Sequence, residues 1–504
     1  MVRVRFAPSP TGFLHIGGLR TALYNELYAL HHGGTFILRI EDTDRTRFVE
    51  GAVESLLRTL KRCGIVPAEG PYLAEDGSVA ERGDHGPYVQ SARLAIYKEH
   101  VDKLLASGNA YHCFCTAERL EQVKAGQSAA KLPIMYDRHC RVMKKEEVAA
   151  ELAKGMPHVV RLAVPTQGAT SFEDLIRGPV EFENVLIDDQ VLLKSDGFPT
   201  YHLANVVDDH LMGITHVIRG EEWLPSTPKH ILLYGAFGWT APAFAHLPLL
   251  LNADRSKLSK RQGDVAAEDY LDKGYLPEAL VNFIALLGWN PSADREIFPK
   301  DELAKEFAVE KINKAGAVFN REKLDWLNKE YLRAMPVAEL AERAAPFYAK
   351  AEVLRPEGNG FASCLGPGRF TKADLEKAVA LEQRRATTLA ELPEATSYLF
   401  APHAKADPAM LPGKKGTPAI AKERLEGLRA FCAGLGAEFD DLKALETATL
   451  AFVKEKGWTN AESLWPLRVA LTGREASPSP FEVAWALGKD RTLARIAEAI
   501  ASLP

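Results

Sequence analysis

The chain is poor in cysteine and lacks any long apolar run. Six cysteines among 504 residues are too few for the disulfide framework of small secreted proteins. No stretch of about 18 apolar residues occurs, so we expect no membrane span. At the start of the chain, apolar residues alternate with Arg3 and Arg5, which is unlike the apolar region of a signal peptide. These absences predict a cytoplasmic protein.

The composition also lacks a strong excess of charge of one sign. The chain has 62 Lys and Arg residues and 67 Asp and Glu residues, a formal net charge of −5. This balance excludes a dispersed attraction of the whole surface to nucleic acid, but it allows a local basic groove. Hydrophobic residues make up 46% and charged residues 26%, which excludes disordered and collagen-like chains. At roughly 150 residues per domain, the length predicts about three or four domains.

The first 40 residues predict a strand, a helix and a second strand. Residues 2–7 (VRVRFA) alternate with period 2, as in a strand. Leu19, Leu23, Leu27 and Leu30 recur every three or four residues, which predicts a helix with one apolar face. Residues 35–40 (TFILRI) predict the next strand. Two strands joined by a helix indicate a right-handed βαβ unit in a doubly wound, Rossmann-type parallel sheet.

The rest of the chain changes pattern three times. Residues 91–207 combine close cysteines, a Lys-rich helical stretch near 144–154 and alternating strands at 158–164 and 180–193, which predicts an α+β insertion. The α/β pattern returns over residues 208–251, with a strand at 215–218. From residue 264 strand signals fade, and helices are predicted at 277–287, 321–333, 337–345, 372–390 and 421–435. The predicted fold class is therefore a Rossmann-type α/β domain with an α+β insertion, followed by all-α C-terminal domains.

Two segments have the composition of phosphate-binding loops. Residues 8–18 (PSPTGFLHIGG) are rich in Pro and Gly and precede the first helix, whose N-terminus favours an anion. His15 in this turn can donate to a phosphate oxygen. Residues 257–261 (KLSKR) carry two lysines three positions apart, which can close over a triphosphate. Each segment alone is equally typical of an ordinary Gly-rich turn or a basic surface loop.

Together these segments resemble the two signatures of the class I aminoacyl-tRNA synthetases. Five further segments make the chain similar to the bacterial glutamyl-tRNA synthetases: RFAPSPTG at 5–12, RIEDTD at 39–44, YHLANVVDDH at 201–210, RGEEW at 219–223 and LLGWNP at 286–291. The first signature ends in Gly18 where many class I enzymes have histidine, a form usual in the glutamate branch. The resemblance implies a ligase that uses ATP with Mg²⁺ to attach L-glutamate to the 3′ end of tRNA(Glu) through glutamyl adenylate.

The resemblance also implies the residues of the active site. The residues implied to stabilise charge on the reacting phosphates are His15, Lys257 and Lys260. The residues implied to bind glutamate are Arg5, Ala7, Ser9, Glu41, Tyr201, Asn205 and Arg219. The residues implied to bind ATP are His15, Gly17, Gly18, Glu222, Leu249, Leu250, Lys257, Ser259, Lys260 and Arg261.

The position of two arginines supports a pocket for a carboxylate. Arg5 lies near the end of the first predicted strand, and Arg219 directly follows the strand at 215–218. Ligands of open α/β sheets bind at the carboxyl ends of the strands. A bidentate arginine prefers a carboxylate over the neutral amide of glutamine. The alternative interpretation is that both arginines form surface ion pairs.

Three cysteines form a candidate zinc site. Cys113, Cys115 and, after 24 further residues, Cys140 resemble the zinc-binding insertion of some members of the family. Zinc needs a fourth ligand, and Val142 stands where the family usually has histidine. Tyr136 is the predicted fourth ligand, and His112 and His139 are the alternatives. The zinc would be structural, because the site lies outside the reacting turn; the other interpretation is three ordinary thiols.

The resemblance divides the chain into five parts. Residues 1–90 and 208–251 form the catalytic Rossmann domain, 91–207 the domain for the tRNA acceptor end, and 252–336 a stem-contact domain with the KLSKR loop. Residues 337–405 and 406–504 form two helical anticodon-binding domains. Arg384 and Arg385 lie near the position where the family reads the third anticodon base, although a solvated helix face explains them equally well. We expect a monomer.

Three alternatives remain open at this point. A relative that also charges tRNA(Gln), or only that tRNA, would carry the same motifs. A small-molecule nucleotidyltransferase could share the phosphate turns, but it has no use for a C-terminal part of roughly 170 mostly helical residues. A non-catalytic RNA-binding protein is disfavoured because both phosphate signatures are intact.

Overall fold

The computed structural model describes residues 1–258, 266–292, 294–414 and 416–504. The chain forms two compact units. The first unit contains residues 1–270 and 280–321, and the second contains residues 271–279 and 322–504. No helix among the described residues is long and apolar enough to cross a membrane.

Sixteen strands are present in the part of the chain that the structure describes. In chain order they are β1 (Arg3–Phe6), β2 (Thr35–Leu38), β3 (Gly70–Leu73), β4 (Val79–Arg82), β5 (Ala110–Cys113), β6 (Val159–Leu162), β7 (Ala169–Asp174), β8 (Gly178–Glu183), β9 (Val191–Leu193), β10 (His216–Gly220), β11 (Ala243–Leu247), β12 (Leu250–Leu251), β13 (Ala317–Val318), β14 (Leu354–Glu357), β15 (Gly360–Ser363) and β16 (Arg369–Phe370). They form the sheets β1-β2, β3-β4, β5-β6-β9, β10-β11-β7-β8, β12-β13 and β14-β15-β16.

The helices connect these strands in the first unit and dominate the second. In chain order they are α1 (Ile16–His31), α2 (Ala52–Arg62), α3 (Leu94–Ala106), α4 (Ala117–Ala129), α5 (Lys145–Ala153), α6 (Tyr201–Leu211), α7 (Thr227–Phe237), α8 (Ala267–Asp272), α9 (Pro277–Ala285), α10 (Lys300–Glu306), α11 (Arg321–Ala334), α12 (Val337–Lys350), α13 (Lys372–Glu382), α14 (Glu391–Thr396), α15 (Pro418–Gly434), α16 (Leu442–Glu455), α17 (Asn460–Thr472), α18 (Pro480–Leu487) and α19 (Lys489–Ser502).

The βαβ unit predicted at the start of the chain is confirmed. β1 and β2 pair in parallel, and α1 connects them. Leu19, Leu23 and Leu27 are fully buried, as the periodicity predicts. Leu30 was expected on the same apolar face, but it is 54% exposed. It lies in the last turn of α1, where residues 30–33 are all exposed, so that turn projects beyond the core.

The parallel strands of the first unit bring distant segments to one edge. The amide of Thr215 donates to the carbonyl of Arg3 at 2.9 Å, which places the start of β10 beside β1. β10 pairs in parallel with β11, and β7 joins β11 through the pair Phe244 and Asp174. The carboxyl ends of β1 and β10 carry Arg5 and Arg219, so both arginines lie where such sheets bind ligands.

The predicted insertion has the expected α+β character but differs in one strand. β5, β6 and β9 form an antiparallel sheet. The strand predicted over residues 180–193 is instead two strands, because β8 ends at Glu183 and β9 starts at Val191. The side chain of Asn184 interrupts the strand. Its Nδ2 donates to the carbonyl of Gln167 at 2.9 Å, and its Oδ1 accepts from the Thr170 hydroxyl at 2.6 Å. These side-chain hydrogen bonds fix a turn in place of a continuous ladder.

The second unit is mostly helical around one buried cluster that extends from Leu276 to Leu503. Two features differ from the prediction. A small antiparallel sheet, β14-β15-β16, occupies the Pro- and Gly-rich region near residues 355–369. The helix predicted over 372–390 ends at Glu382, where the Gln383 side chain donates to the carbonyls of Leu332 and Met335 at the end of α11. Leu332 lies in the last turn of α11 and Met335 directly follows that helix, where carbonyls lack the amide partners of a helix interior, so the contact favours a break here.

Candidate active site

A cavity of about 1000 Å³ opens in the first unit beside the N-terminus of α1. The predicted site residues that line it are Arg5, Ala7, Ser9, His15, Gly17, Gly18, Glu41, Tyr201, Arg219, Glu222, Leu249, Leu250 and Lys257. Asn205 does not line the cavity but lies buried behind it. Ser259, Lys260 and Arg261 lie outside the described residues. The cavity therefore unites segments that are more than two hundred residues apart in the sequence.

Arg5 forms one side of the cavity and is held by carboxylate and amide oxygens. It is buried, which excludes the surface ion pair considered above. Its Nε donates to both oxygens of Asp209 at 3.0 and 3.2 Å, and its Nη2 donates to the Oδ1 of Asn205 at 3.3 Å. Asn205 thus fixes the guanidinium from behind. Burial opposes ionisation of Asp209, but Arg5 and Arg39 hold the pKa of its carboxyl below the usual value.

Arg219 is equally buried, but its partners are uncharged. Each of the five guanidinium N–H groups has a neutral acceptor. These acceptors are His246 Nε2 (3.1 Å), Tyr201 Oη (2.9 Å), His230 Nδ1 (3.3 Å), Thr227 Oγ1 (2.9 Å) and the Trp223 carbonyl (3.5 Å). No carboxylate among the described residues lies within ion-pair distance of Arg219. A buried cation without a counter-ion is costly, so this site favours a ligand that brings a negative charge.

Glu41 supplies a buried carboxyl group to the cavity. Its amide donates to the carbonyl of Pro8 at 3.0 Å, which extends the contact between β1 and β2 toward the ligand side. Its carboxylate accepts from Arg39 Nη2 at 3.0 Å. Burial raises the pKa of Glu41, although Arg39 and Arg5 act in the opposite direction. An ammonium group in the cavity would favour the ionised form of this carboxyl.

His15 forms the N-cap of α1 at the opposite side of the cavity. Its Nδ1 accepts from the amide of Gly18 at 3.1 Å, so a neutral His15 carries its proton on Nε2 and donates from there. Gly17 leaves room for this ring, because a Cβ at that position would lie 3.1 Å from it. The amide of Gly18, a residue implied to bind ATP, is used by this cap. The anion-binding character of the turn therefore depends on the imidazole as well as on the backbone.

The described residues on both sides of the gap at 259–265 lie beside the same turn. Lys257 lines the cavity, and the amide of Leu258 donates to the carbonyl of Leu250 at 2.9 Å. Ala266, the next described residue, forms an isolated β-bridge with His15. The described start of the second signature, Lys257 and Leu258, therefore lines the same cavity as His15. Leu249 belongs to this wall, but its amide already donates to Glu221 at 2.7 Å.

Three functional residues were not predicted from the sequence: Trp223 and Arg20, which line the cavity, and Asp209, which holds Arg5. Trp223 lies in the RGEEW segment, and its ring centroid is 4.1 Å from that of Tyr201. Arg20 is buried on α1 and donates to the carbonyls of Pro248 and Leu287. Asp209 follows Asn205 by four residues on α6, a spacing that indicates one helix face and could have identified it. Arg20 has no comparable signal, because its partners are distant carbonyls.

The predicted zinc ligands come together in the insertion. Cys113, Cys115 and Cys140, the cysteine cluster, have their sulfurs within 4.8 Å of one another. The Tyr136 hydroxyl lies 3.3 Å from the sulfurs of Cys113 and Cys115. A tetrahedral zinc with Zn–S bonds of ~2.3 Å needs sulfurs about 3.8 Å apart, and the Cys115–Cys140 distance is 3.5 Å. The residues therefore fit zinc, with Tyr136 closer to the role of fourth ligand than His139, which is not part of the cluster.

Comparison with known families assigns both units of the chain. Residues 1–326 match the family described as tRNA synthetases class I (E and Q), catalytic domain. Residues 339–500 match an anticodon binding domain. The two matches leave few residues unassigned.

Individual relatives are similar over nearly the whole chain. The glutamate–tRNA ligase of Clostridioides difficile is 45% identical over 502 residues, 98% of each chain. That of Chlorobaculum parvum is 47% identical and covers 99% of this chain and 97% of its own. A crystal structure of a glutamate tRNA ligase from Elizabethkingia meningosepticum, in complex with its amino acid, superposes with a TM-score of 0.84 at 36% identity, with full coverage of both chains.

Proposed function

This chain belongs to the class I tRNA synthetases of the glutamate and glutamine branch, and on that premise we propose that it attaches L-glutamate to tRNA(Glu) with ATP. The family assignment agrees with the resemblance found in the sequence motifs. The observation that carries the choice of substrate is the buried guanidinium of Arg219, which lines the cavity without a carboxylate partner among the described residues.

The cavity offers partners for the side-chain carboxylate and the ammonium group of glutamate. The side-chain carboxylate would lie between Arg5 and Arg219, with the Tyr201 hydroxyl as a further donor. Because Tyr201 accepts from Arg219, its own proton is available for a carboxylate. The ammonium group would meet Glu41, with Ser9 and the Ala7 backbone beside it. The neutral amide of glutamine would give Arg5 and Arg219 no negative charge to bind, which disfavours glutamine as a substrate.

The turn around His15 would act on ATP. The glutamate carboxylate attacks the α-phosphate and pyrophosphate leaves; the terminal ribose hydroxyl of the tRNA then attacks the carbonyl of the adenylate and AMP leaves. Charge develops on phosphate oxygens, so placed donors supply the catalysis. We assign this role to His15, Lys257 and Lys260, and adenosine binding to Glu222, Leu249 and Leu250. The other residues assigned to ATP are Gly17, Gly18, Ser259 and Arg261. Mg²⁺ would neutralise phosphate charge, and no residue of the chain is assigned to it.

Zinc would be bound by the cysteine cluster and Tyr136. Its contribution would be to fold this part of the insertion, because none of these four residues lines the cavity. The insertion would hold the acceptor end of the tRNA, and the helical part from residue 337 onward would read the anticodon. The anticodon-domain match over 339–500 supports this division.

The alternative functions are not favoured. A small-molecule nucleotidyltransferase has no use for an anticodon-binding domain. The relatives that cover the whole chain are named glutamate–tRNA ligases, which does not favour an enzyme directed to tRNA(Gln).

Charging of purified tRNAs tests the proposal. The protein is incubated with labelled glutamate or glutamine, ATP, Mg²⁺ and transcripts that carry a glutamate or a glutamine anticodon. We expect ATP-dependent ester formation with glutamate on tRNA(Glu). Charging with glutamine, or no charging with glutamate, would contradict the proposal. Charging of both transcripts with glutamate would identify a non-discriminating enzyme.

A further inference from the structure

Two buried residues outside the cavity control the environment of Arg219. Asp174 ends β7 and His246 lies on β11, and both are almost completely buried. His246 Nδ1 lies 2.6 Å from Asp174 Oδ2, and His246 Nε2 lies 3.1 Å from Arg219 Nε. The imidazole therefore connects a carboxylate that does not line the cavity with a guanidinium that does.

Asp174 is fixed in one orientation by the backbone. Its Oδ1 accepts from the amides of Ile176 and Arg177 at 3.0 and 2.8 Å. The other oxygen, Oδ2, is thereby directed to His246 Nδ1. An ionised carboxylate can only accept, so the proton of this hydrogen bond belongs to the imidazole. The pKa of Asp174 is held low: burial opposes this, but the contacts to His246 and Arg177 dominate.

This arrangement selects one tautomer of His246. With the proton on Nδ1, Nε2 has a lone pair, and this lone pair accepts from Arg219 Nε. With the proton on Nε2, two N–H groups would face each other at 3.1 Å, and the hydrogen bond to Arg219 would be lost. Burial lowers the pKa of His246 to about 4, so the ring is neutral at neutral pH and adds no second positive charge beside Arg219.

We propose that Asp174 and His246 are positioning residues that orient Arg219 for the side-chain carboxylate of the amino acid substrate and thereby set the preference for glutamate. The carboxylate of Asp174 keeps the proton of His246 on Nδ1, and Nε2 of the same ring holds the guanidinium of Arg219 at its Nε. The charge of Arg219 is left for the ligand, because an uncharged ring separates it from Asp174. This inference rests on the proposed function and deepens it at the same site.

Substitutions that keep the shape but change the polarity test this chain of contacts. In Asp174→Asn, Oδ1 stays on the backbone amides and the new NH₂ group faces His246 Nδ1. The ring proton must then move to Nε2, opposite Arg219. His246→Leu removes the acceptor, whereas His246→Gln keeps an oxygen that can accept from Arg219 Nε. Thr170→Val is the matched control, since Thr170 is buried on the same strand but donates to Asn184.

The readout is the KM for glutamate and the KM for ATP in tRNA charging, with the unfolding midpoint of each variant. A misplaced binding group costs on the order of 10- to 100-fold. We therefore expect D174N and H246L to raise the glutamate KM by that factor with an unchanged ATP KM. We expect H246Q to recover most of the loss and T170V to keep the glutamate KM and the ATP KM of the unaltered protein. We expect D174N to be inhibited more strongly by glutamine relative to glutamate.

The outcomes distinguish failure of this inference from failure of the proposed function. Unchanged glutamate KM values in D174N and H246L would overturn the inference while the proposed function stands. A parallel rise of both KM values with a lowered unfolding midpoint, not relieved in H246Q, would show a purely structural role and would also overturn it. Absence of glutamate charging by the unaltered protein would overturn the proposed function and this inference with it.

Discussion

Replacement of Arg219 by methionine separates substrate binding from stability at the centre of the site. Methionine keeps the length and much of the volume of the side chain but removes the charge and all five donors. In the folded protein these donors meet only neutral acceptors. The matched variant is Arg39→Met, because Arg39 is equally buried but contacts Asp209, Glu41 and Asp208 at 2.7, 3.0 and 3.7 Å.

The expected losses in kcat/KM and in the free energy of unfolding follow from these contacts. Loss of one member of a buried, hydrogen-bonded charge pair with a ligand costs about 2–5 kcal/mol, which corresponds to roughly 30- to 5,000-fold in kcat/KM for glutamate. The R39M variant leaves the buried carboxylate of Glu41 without its cation and removes one of two arginines from both Asp209 and Asp208, so its free energy of unfolding should fall by about 3–5 kcal/mol. R219M loses hydrogen bonds but also relieves the burial of an unpaired cation, so its stability should fall by less.

Two measurements check this prediction. The kinetics of tRNA charging, measured at varied glutamate and at varied ATP, show which substrate's KM changes. Denaturant titration gives the free energy of unfolding. We expect R219M to lose efficiency with glutamate and to keep its KM for ATP. If R219M retained its efficiency with glutamate, or lost stability as severely as R39M, Arg219 would be a structural residue and the reasoning would be refuted.

Three further predictions concern other parts of the first unit. Lys260→Ala should lower adenylate formation on the order of 100- to 1,000-fold with an unchanged far-UV spectrum; near-normal turnover would remove Lys260 from the mechanism. After exhaustive dialysis, mass spectrometry should find one zinc per chain, and replacement of Tyr136 by phenylalanine should speed its loss to a chelator; absence of zinc would contradict the assignment. Burial lowers the pKa of His202 to about 3, of His246 to about 4 and of His230 well below its usual value, whereas an unfolded histidine titrates near ~6.5. The unfolded state therefore binds more protons below about pH 6.5, and the free energy of unfolding should fall between pH 7 and pH 4 by up to about 1.4 kcal/mol per pH unit and histidine; His202→Gln should remove one proton from that slope.

Much of the site could be predicted because its residues stand in short segments with strong local signals. Arg5 and Arg219 stand at strand ends, and His15 stands in a glycine turn before a helix. Parallel strands bring such positions to one edge of a sheet without further information. The cavity confirms that they meet, since both arginines and His15 line it.

The contacts behind these residues could not be predicted, because they depend on pairing between distant strands. Asp174 and His246 are 72 residues apart, and they meet only because β7 joins β11 at a single parallel position. The early end of α13 has a similar cause, since Gln383 is drawn to the end of another helix. Local periodicity reports which face of an element is apolar, but it does not report which polar groups will find each other across the fold.

The central claim is that one cavity binds both the amino acid and the nucleotide. A nonhydrolysable sulfamoyl analogue of glutamyl adenylate tests this claim most directly, with inhibition of tRNA charging measured against varied glutamate and against varied ATP. The account predicts competitive inhibition with respect to both substrates and one analogue bound per chain. Competition with only one of them would place the amino acid and the nucleotide in separate sites and would contradict the account.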